Sequence, residues 1–361
     1  MRWSKELSKK LNYYDRQYLL FIHKLYFQDC ILSMKKFEQK FIELNQLVQK
    51  NNRIILTSHV YTDGDAMGCL ISLYDYLKSI DKDVEIIIPG EVPPKYAFLH
   101  IDQIINHTTN FEAEYKISNA QLIIIVDVSS LKRLNGLYSA VKESKAKKVC
   151  IDHHPFEGDW IDLDIVDTDR VATGEMVFQF FKINNILINP LMAKALYTSI
   201  LSDSGSFRFQ RTDAFTFNMA AALVEAGADP AELYGHLYEN STQHQLQAWG
   251  EILKNVQSRD KLSWLIVPNR LFAEYHISKE EIDGIIDILR KIKDAQVVLV
   301  FIEKSEDEII VGLRSKNGFD VGEFARKFGG GGHKHAAGFQ QNQALKDVIN
   351  ITVAEIEKNI S

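Results

Sequence analysis

The run Leu122-Ile123-Ile124-Ile125-Val126 ends on an acid, Asp127. Five consecutive aliphatic residues leave no polar face, so a strand built from them has to be covered on both sides. A parallel sheet with helices above and below meets that demand, and a half-solvated antiparallel sheet does not. Ile54-Ile55-Leu56-Thr57, Val84 to Ile88 and Val149-Cys150-Ile151 have the same character, the last leading directly into Asp152. Between them the period changes. Phe37, Phe41, Leu44 and Leu47 recur at helical spacing over 35–50, and Met67, Leu70, Ile71 and Tyr74 do so over 66–77. This alternation predicts an α/β domain with a doubly wound, mainly parallel sheet. A helix from Leu191 to Leu201 follows, with Met192, Ala195, Leu196, Ser199 and Ile200 facing inward.

The pattern assigns residues 34–224 to this domain. Residues 225–258 are polar, helical and rich in Gln and Asn, with no strand candidate, and read as a connector. A smaller α/β domain is expected over 259–361. Its strands are Leu262 to Val267, Val297 to Ile302 and Glu308 to Arg314, with a helix striped by Ile282, Ile285, Ile286 and Leu289. A glycine run at 329–332 and a terminal helix close it. Residues 1–33 stand apart. Their apolar stretch from Tyr18 to Phe27 is too short, and too interrupted by Lys24, to span a bilayer. It also lacks the build of a signal peptide. An amphipathic packing helix and an upstream extension before a natural start at Met34 are both open readings.

A chain of 361 residues can bury two cores. Its formal charge of −6 argues against a broad cationic surface that coats nucleic acid. A small acidic substrate stays compatible, because bound divalent cations would reverse the local sign. Three cysteines without a Cys-x-x-Cys pair fit a reducing compartment, and a cytoplasmic setting without a membrane partner is expected.

Strand and helix ends in the first domain carry hard-metal ligands. His59-Val60-Tyr61-Thr62-Asp63-Gly64-Asp65-Ala66 follows the first strand, and Gly64 allows a sharp turn between two carboxylates. Asp127 ends the second such segment and Asp152-His153-His154 forms the third. Asp203, in Ser202-Asp203-Ser204-Gly205, ends the 191–201 helix. A single Asp after a strand is often only a cap. Four such segments in one domain, three of them at the strand ends where open α/β sheets collect their sites, point instead to a common centre. Oxygen and imidazole without thiolate suit Mn²⁺ or a similar divalent ion, with Mg²⁺ or Co²⁺ as alternatives. The donors exceed what one ion needs, so a pair sharing a bridging carboxylate is the economical arrangement.

In order and spacing, these four segments resemble the motifs of the DHH phosphoesterases. Gly329-Gly330-Gly331-Gly332-His333-Lys334-His335-Ala336-Ala337-Gly338 resembles the signature of the DHHA1 accessory domain. The likeness covers roughly residues 35–361. Within the family, the two-domain build is most similar to the bifunctional oligoribonucleases that also dephosphorylate 3′-phosphoadenosine 5′-phosphate. The resemblance implies one ion on His59, Asp63 and Asp127, and a second on Asp65, Asp127, His153 and Asp203, the pair activating a water. It further implies that His154 faces the substrate and that Asp152 orients an imidazole, these two being the catalytic pair. The family usually has Pro where Thr62 stands, and Thr where Ser202 and Ser204 stand.

For the second domain the resemblance implies substrate binding. His333 matches a substrate-facing histidine, and Arg314 and Ser315, followed by Lys316, match a segment that grips a phosphate or nucleotide. Gly330, Gly331 and Gly332 are expected in a loop whose N–H groups form an anion nest. Arg208 and Arg211, flanking Phe209, are weaker candidates for holding a phosphate or stacking a base, and packing is an equal reading. His335 is unassigned. The expected reaction is hydrolysis of short single-stranded RNA or DNA, or of a 3′-phosphorylated nucleotide. A soluble phosphodiesterase of c-di-AMP or pApA is the alternative, a non-catalytic nucleotide-binding module a remoter one, and a homodimer is an option.

Overall fold

The computed structural model describes residues 37–105, 110–128, 130–155, 160–278, 280–282, 284–316 and 318–360, so the expectations for residues 1–33 lie outside the described residues. The chain divides into two compact units between Glu239 and Asn240.

In the first unit, helix α1 (37–50) precedes β1 (Arg53–Thr57), α2 (Gly64–Ser79), β2 (Asp83–Ile86), α3 (Asn110–Ser118), β3 (Leu122–Val126), α4 (Tyr138–Glu143), β4 (Lys147–Asp152) and β5 (Leu163–Val166). The five strands form a wholly parallel sheet in the order β2-β1-β3-β4-β5. The aliphatic run forms the central strand, every residue of it buried. Its side chains divide between two cores. Leu122, Ile124 and Val126 pack with Phe41, Leu44, Leu70 and Phe180, while Ile123 and Ile125 pack with Ile55, Ile117 and Val141. The doubly wound expectation is therefore met. Chain order reverses between β1 and β3, which makes the crevice beyond their carboxyl ends the switch point of the sheet.

The unit continues with α5 (Thr173–Ile183), α6 (Pro190–Asp203), α7 (Ala214–Glu225) and α8 (Pro230–Tyr238). Helices α2 and α6 approach closely. A Cβ added at Gly68 would lie 2.3 Å from the Ala195 carbonyl oxygen, so only glycine allows this contact.

The second unit opens with α9 (Gln243–Leu253), so the division of the chain falls inside the polar segment 225–258, with α8 on one side and α9 on the other. Its strands are β6 (Gln257–Arg259), β7 (Leu262–Val267), β8 (Val297–Ser305), β9 (Glu308–Ser315), β10 (Gly331–His333) and β11 (Ala336–Gln341). They form one sheet ordered β10-β11-β9-β8-β7-β6, in which only β7 and β8 run parallel. Its helices include α10 (Ile285–Leu289), α11 (Val321–Lys327) and α12 (Leu345–Glu357). The stripe Ile282, Ile285, Ile286 and Leu289 packs into one cluster, but a single helix does not carry it: Gly284, at φ +94°, separates a turn of 3₁₀ helix from α10.

The glycine run also differs from the loop expected. Gly331 and Gly332 enter β10, which pairs antiparallel with β11. A Cβ at Gly330 would lie 2.2 Å from the Gly338 carbonyl oxygen, and one at Gly332 would lie 2.5 Å from that of Ala336. At Gly330 and Gly332, close backbone approach is what the glycine provides.

Candidate metal centre

Strand geometry delivers the donors. Ser58 Oγ donates to the Val126 carbonyl (2.8 Å), tying the ends of β1 and β3 together one residue before His59 and one before Asp127. Asp127 keeps sheet pairing through its N–H to Ile151 O (3.0 Å), yet its φ is +55°. That left-handed conformation is uncommon for a residue with a side chain, though Asp tolerates it better than most. It turns the chain sharply at the strand end. Asp63 caps α2, its Oδ1 accepting from the N–H groups of Asp65 (3.1 Å) and Ala66 (3.2 Å). Thr62, standing where proline is usual, closes the turn differently: its hydroxyl donates to His59 O (3.0 Å).

All six residues expected as metal ligands converge. His59 Nε2 lies 3.2 Å from Asp127 Oδ2 and 3.9 Å from Asp63 Oδ2. His153 Nε2 lies 3.3 Å from Asp203 Oδ2, 3.8 Å from Asp65 Oδ2 and 3.8 Å from Asp127 Oδ1. Donors bound at about 2.1 Å to a common ion stand roughly 3–3.5 Å apart; the shortest contact in each group has that spacing, and the others are a few tenths of an ångström wider. Asp127 turns one oxygen to each. His153 Nε2 and Asp127 Oδ1 are buried without a well-aligned hydrogen bond, although Asp203 Oδ2 and His154 Nδ1 stand 3.3 and 3.2 Å from them. Leaving such an atom unsatisfied costs about 1–3 kcal/mol, which a cation between them would remove. Residue types, spacing and orphaned atoms thus all fit a hard or borderline divalent ion. The tautomer fits too: His153 Nδ1 donates to Arg170 O (3.2 Å), which directs the Nε2 lone pair at the carboxylates.

The charges confirm the crowding. Burial and repulsion from Asp203 and Asp127 push Asp63 up to about 7, although 46% of its side chain stays exposed. Asp65 is driven well above the carboxylate range by burial and the same two neighbours. Burial disfavours a charged His153, but Asp203, Asp65 and Asp127 outweigh it and raise the imidazole to about 10. Burial likewise opposes charge on Asp127, and His154 and His59 outweigh it, holding the carboxyl well below its usual range. Without cations, the centre balances its carboxylates with protons.

Asp152 and His154 form a distinct pair. Asp152 Oδ1 accepts from the His154 backbone N–H (2.9 Å) and lies 2.7 Å from His154 Nδ1, which is also 3.2 Å from Asp127 Oδ1. Burial works against charge here as well, but Asp127 and Asp152 lift His154 to about 9, so the ring is cationic at neutral pH. Asp127, His153 and His154 also lie close enough to form a third ligand group. The His154 nitrogen facing Asp127 is Nδ1, and it lies closer still to Asp152 Oδ1, at 2.7 Å.

Sequence reasoning missed several supporting groups. Asp65 accepts from the N–H groups of Thr173 (2.6 Å) and Gly174 (2.9 Å) at the start of α5, and from Ser199 Oγ (2.5 Å). The carbonyl of Arg170 orients His153. A serine on the inner face of a buried helix was the one available signal, since a buried hydroxyl needs a partner. Arg211 and Arg208 are exposed; Arg211 Nη1 donates to Thr168 O and Arg170 O, both at 3.2 Å, and Arg208 Nε donates to Gly205 O (2.5 Å).

In the second unit, Arg314 and Ser315 end β9, with Arg314 half-buried opposite Ala336. Ser315 is buried, and its Oγ lies 2.9 Å from Nδ1 of His335, the histidine that sequence left unassigned. Lys316 Nζ is occupied by the carbonyls of Ile292 and Lys293. Gly331, Gly332 and the backbone of His333 form β10, and Gly330 precedes it; the His333 side chain lies outside the described residues.

The DHH family, N-terminal domain, matches residues 53–200, and the DHHA1 domain matches residues 267–360. The bifunctional oligoribonuclease and PAP phosphatase NrnA of Mycoplasma genitalium is 27% identical over 316 residues, covering 86% of this chain and 96% of its own. Its namesake from Bacillus subtilis is 28% identical over 301 residues, covering 82% and 91%. The crystal structure of an exopolyphosphatase-related protein from Bacteroides fragilis shares the fold, with a TM-score of 0.85 at 24% identity, over 89% of this chain and 96% of that one. With both domains matched in order, and with the motif residues gathered at the switch point of the sheet, the chain belongs to the DHH phosphoesterases, metal-dependent hydrolases, and carries a DHHA1 domain as its second unit.

Proposed function

We propose that the chain hydrolyses short oligonucleotides to mononucleotides, and 3′-phosphoadenosine 5′-phosphate to AMP, using two divalent cations, Mn²⁺ foremost, with Asp127 between them. The observation that carries this reading is the divergence of the two Asp127 oxygens, Oδ2 at 3.2 Å from His59 Nε2 and Oδ1 at 3.8 Å from His153 Nε2. His59, Asp63 and Asp127 would hold one ion, and Asp65, Asp127, His153 and Asp203 the other. When bound, such a pair would neutralise phosphate oxygens and lower the pKa of a water so that it gives up a proton and can attack phosphorus as hydroxide. The oligoribonuclease and PAP phosphatase activities of the named relatives support the substrate class.

The chain's own residues supply the rest. His154 protonates the leaving oxygen as the P–O bond breaks, and because Nδ1 faces Asp152, the proton on Nε2 is the one transferred. Asp152 holds that ring in place and favours its cationic form. Arg170 O keeps His153 in the ligating tautomer. Arg314, Ser315, Gly330, Gly331, Gly332 and His333 bind the substrate's phosphate or nucleotide end. The position of β10 at the sheet edge supports this, because its outward N–H row has no partner strand among the described residues. No helix among the described residues is long and apolar enough to cross a membrane.

The test is a panel of RNA dimers to pentamers, pApA, 3′-phosphoadenosine 5′-phosphate and c-di-AMP, with product analysis in Mn²⁺ and in chelator. Mononucleotides from the short RNAs and AMP from the bisphosphate are expected, in Mn²⁺ only. No turnover of the RNAs, pApA or the bisphosphate in Mn²⁺ refutes the proposal.

A further inference from the structure

Asp65 is fully buried, and its two oxygens are used differently. Oδ1 accepts from Gly174 N–H (2.9 Å) and Ser199 Oγ (2.5 Å), and the Cys69 thiol also donates to it at 3.6 Å. Oδ2 accepts only from Thr173 N–H (2.6 Å) and faces His153 Nε2 at 3.8 Å. A carboxylate oxygen offers about two lone-pair sites. Those of Oδ1 are taken by the protein, and one on Oδ2 is left toward the centre.

We infer that Ser199 is a positioning residue of the metal centre: by occupying Oδ1 it presents Asp65 to a cation through Oδ2 alone. The inference rests on Asp65 being a ligand, as proposed above. The packing shows that the hydroxyl has a prepared place. A Cβ at Gly174 would lie 1.9 Å from Ser199 Oγ, and one at Gly68 would lie 2.8 Å from Ser199 Cβ, so two glycines leave room for one hydroxymethyl group. The neighbouring Thr198 does what helical hydroxyls usually do, donating to Lys194 O one turn back (2.8 Å). Ser199 instead reaches across to another helix.

The same geometry supplies a discriminating test. A Cβ at position 174 would lie 3.6 Å from Asp65 Oδ1, within reach for a hydroxyl on that carbon to replace the one at 199. It fits only if position 199 becomes glycine. Metal-stripped protein is titrated calorimetrically with Mn²⁺ as wild type, Ser199→Ala, the exchange pair Ser199→Gly/Gly174→Ser, and Asp65→Asn, with a thermal melt of each. Ser199→Ala should weaken one of two binding events roughly 10- to 100-fold, the usual effect of losing a ligand's hydrogen-bond partner, and leave the other unchanged. The exchange pair should recover affinity to within a few-fold. Unchanged affinity in Ser199→Ala, alongside loss in Asp65→Asn, overturns the role of Ser199 alone. A folded exchange pair that does not recover affinity also overturns it. Two ions bound normally by Asp65→Asn would remove the ligand assignment itself, and this inference with it.

Discussion

Gly68 links the fold to the centre most directly. It lies on α2, three residues after Asp65, where α2 meets α6, the helix that ends on Asp203. In Gly68→Ala the new methyl carbon would sit 2.3 Å from Ala195 O and 2.8 Å from Ser199 Cβ. The first neighbour is backbone and cannot rotate away, so the helices must part by about 1 Å to restore ordinary contact. Overpacking of this kind costs about 1–3 kcal/mol. For a unit of this size each kcal/mol lowers Tm by about 2–4 °C, so a fall of roughly 2–12 °C is expected. The same displacement moves Ser199 off Asp65 and carries Asp203 away from His153, so Mn²⁺ should bind more weakly as well. Thermal melts of metal-stripped and Mn²⁺-loaded protein measure both effects. A variant that melts with wild type and takes up Mn²⁺ equally would refute the claim that this helix contact sets the spacing of the centre.

Three further outcomes follow from the geometry. His154→Gln should lower kcat by roughly 10²- to 10⁴-fold in single turnover while both ions still bind, and an unchanged kcat would exclude His154 as the acid. In the metal-free chain, His153 and His154 hold protons to about 10 and about 9 against 6.5 for the free side chain. Their contribution to stability is therefore complete below pH 6.5 and lost as pH rises through those values. Asp63, raised from 3.8 to about 7, acts in the same direction over its own range. Tm in chelator should fall from pH 6 to 9, and the increment from Mn²⁺ should grow as competing protons leave; a flat profile would contradict this. Gly332→Ala places a Cβ 2.5 Å from Ala336 O at φ +136° and should raise KM with ion binding unaffected, whereas an unchanged KM would separate the β10 hairpin from substrate binding.

What could be read from sequence followed from pattern strength. The run Leu122–Val126 became the central strand residue for residue, because a fully aliphatic segment has one stable environment in a small α/β domain. Strand β5 went unread: Leu163 and Ile165 alternate with Asp164 in four residues, too little to distinguish from a turn. Helix α5, with Met176, Val177, Phe178, Phe180 and Phe181 buried, also went unread. The clustering of the acids and imidazoles was legible because few other arrangements need so many of them at strand ends. Their supports were not, since the Thr173 and Gly174 amides and the Arg170 carbonyl act through backbone that any residue provides. The glycine run misled for a related reason. Glycines that permit strands to touch and glycines that permit a loop to bend are the same letters.

Calorimetric titration of the metal-stripped chain with Mn²⁺, as wild type and as Asp127→Asn, tests the two-ion centre most directly. Asparagine also tolerates the φ of +55° at this position, so the substitution removes charge and one oxygen while keeping the backbone. Two ions per wild-type chain, and the loss of both in Asp127→Asn, are predicted. One ion per wild-type chain, or two retained in the variant, would contradict the bridging role of Asp127.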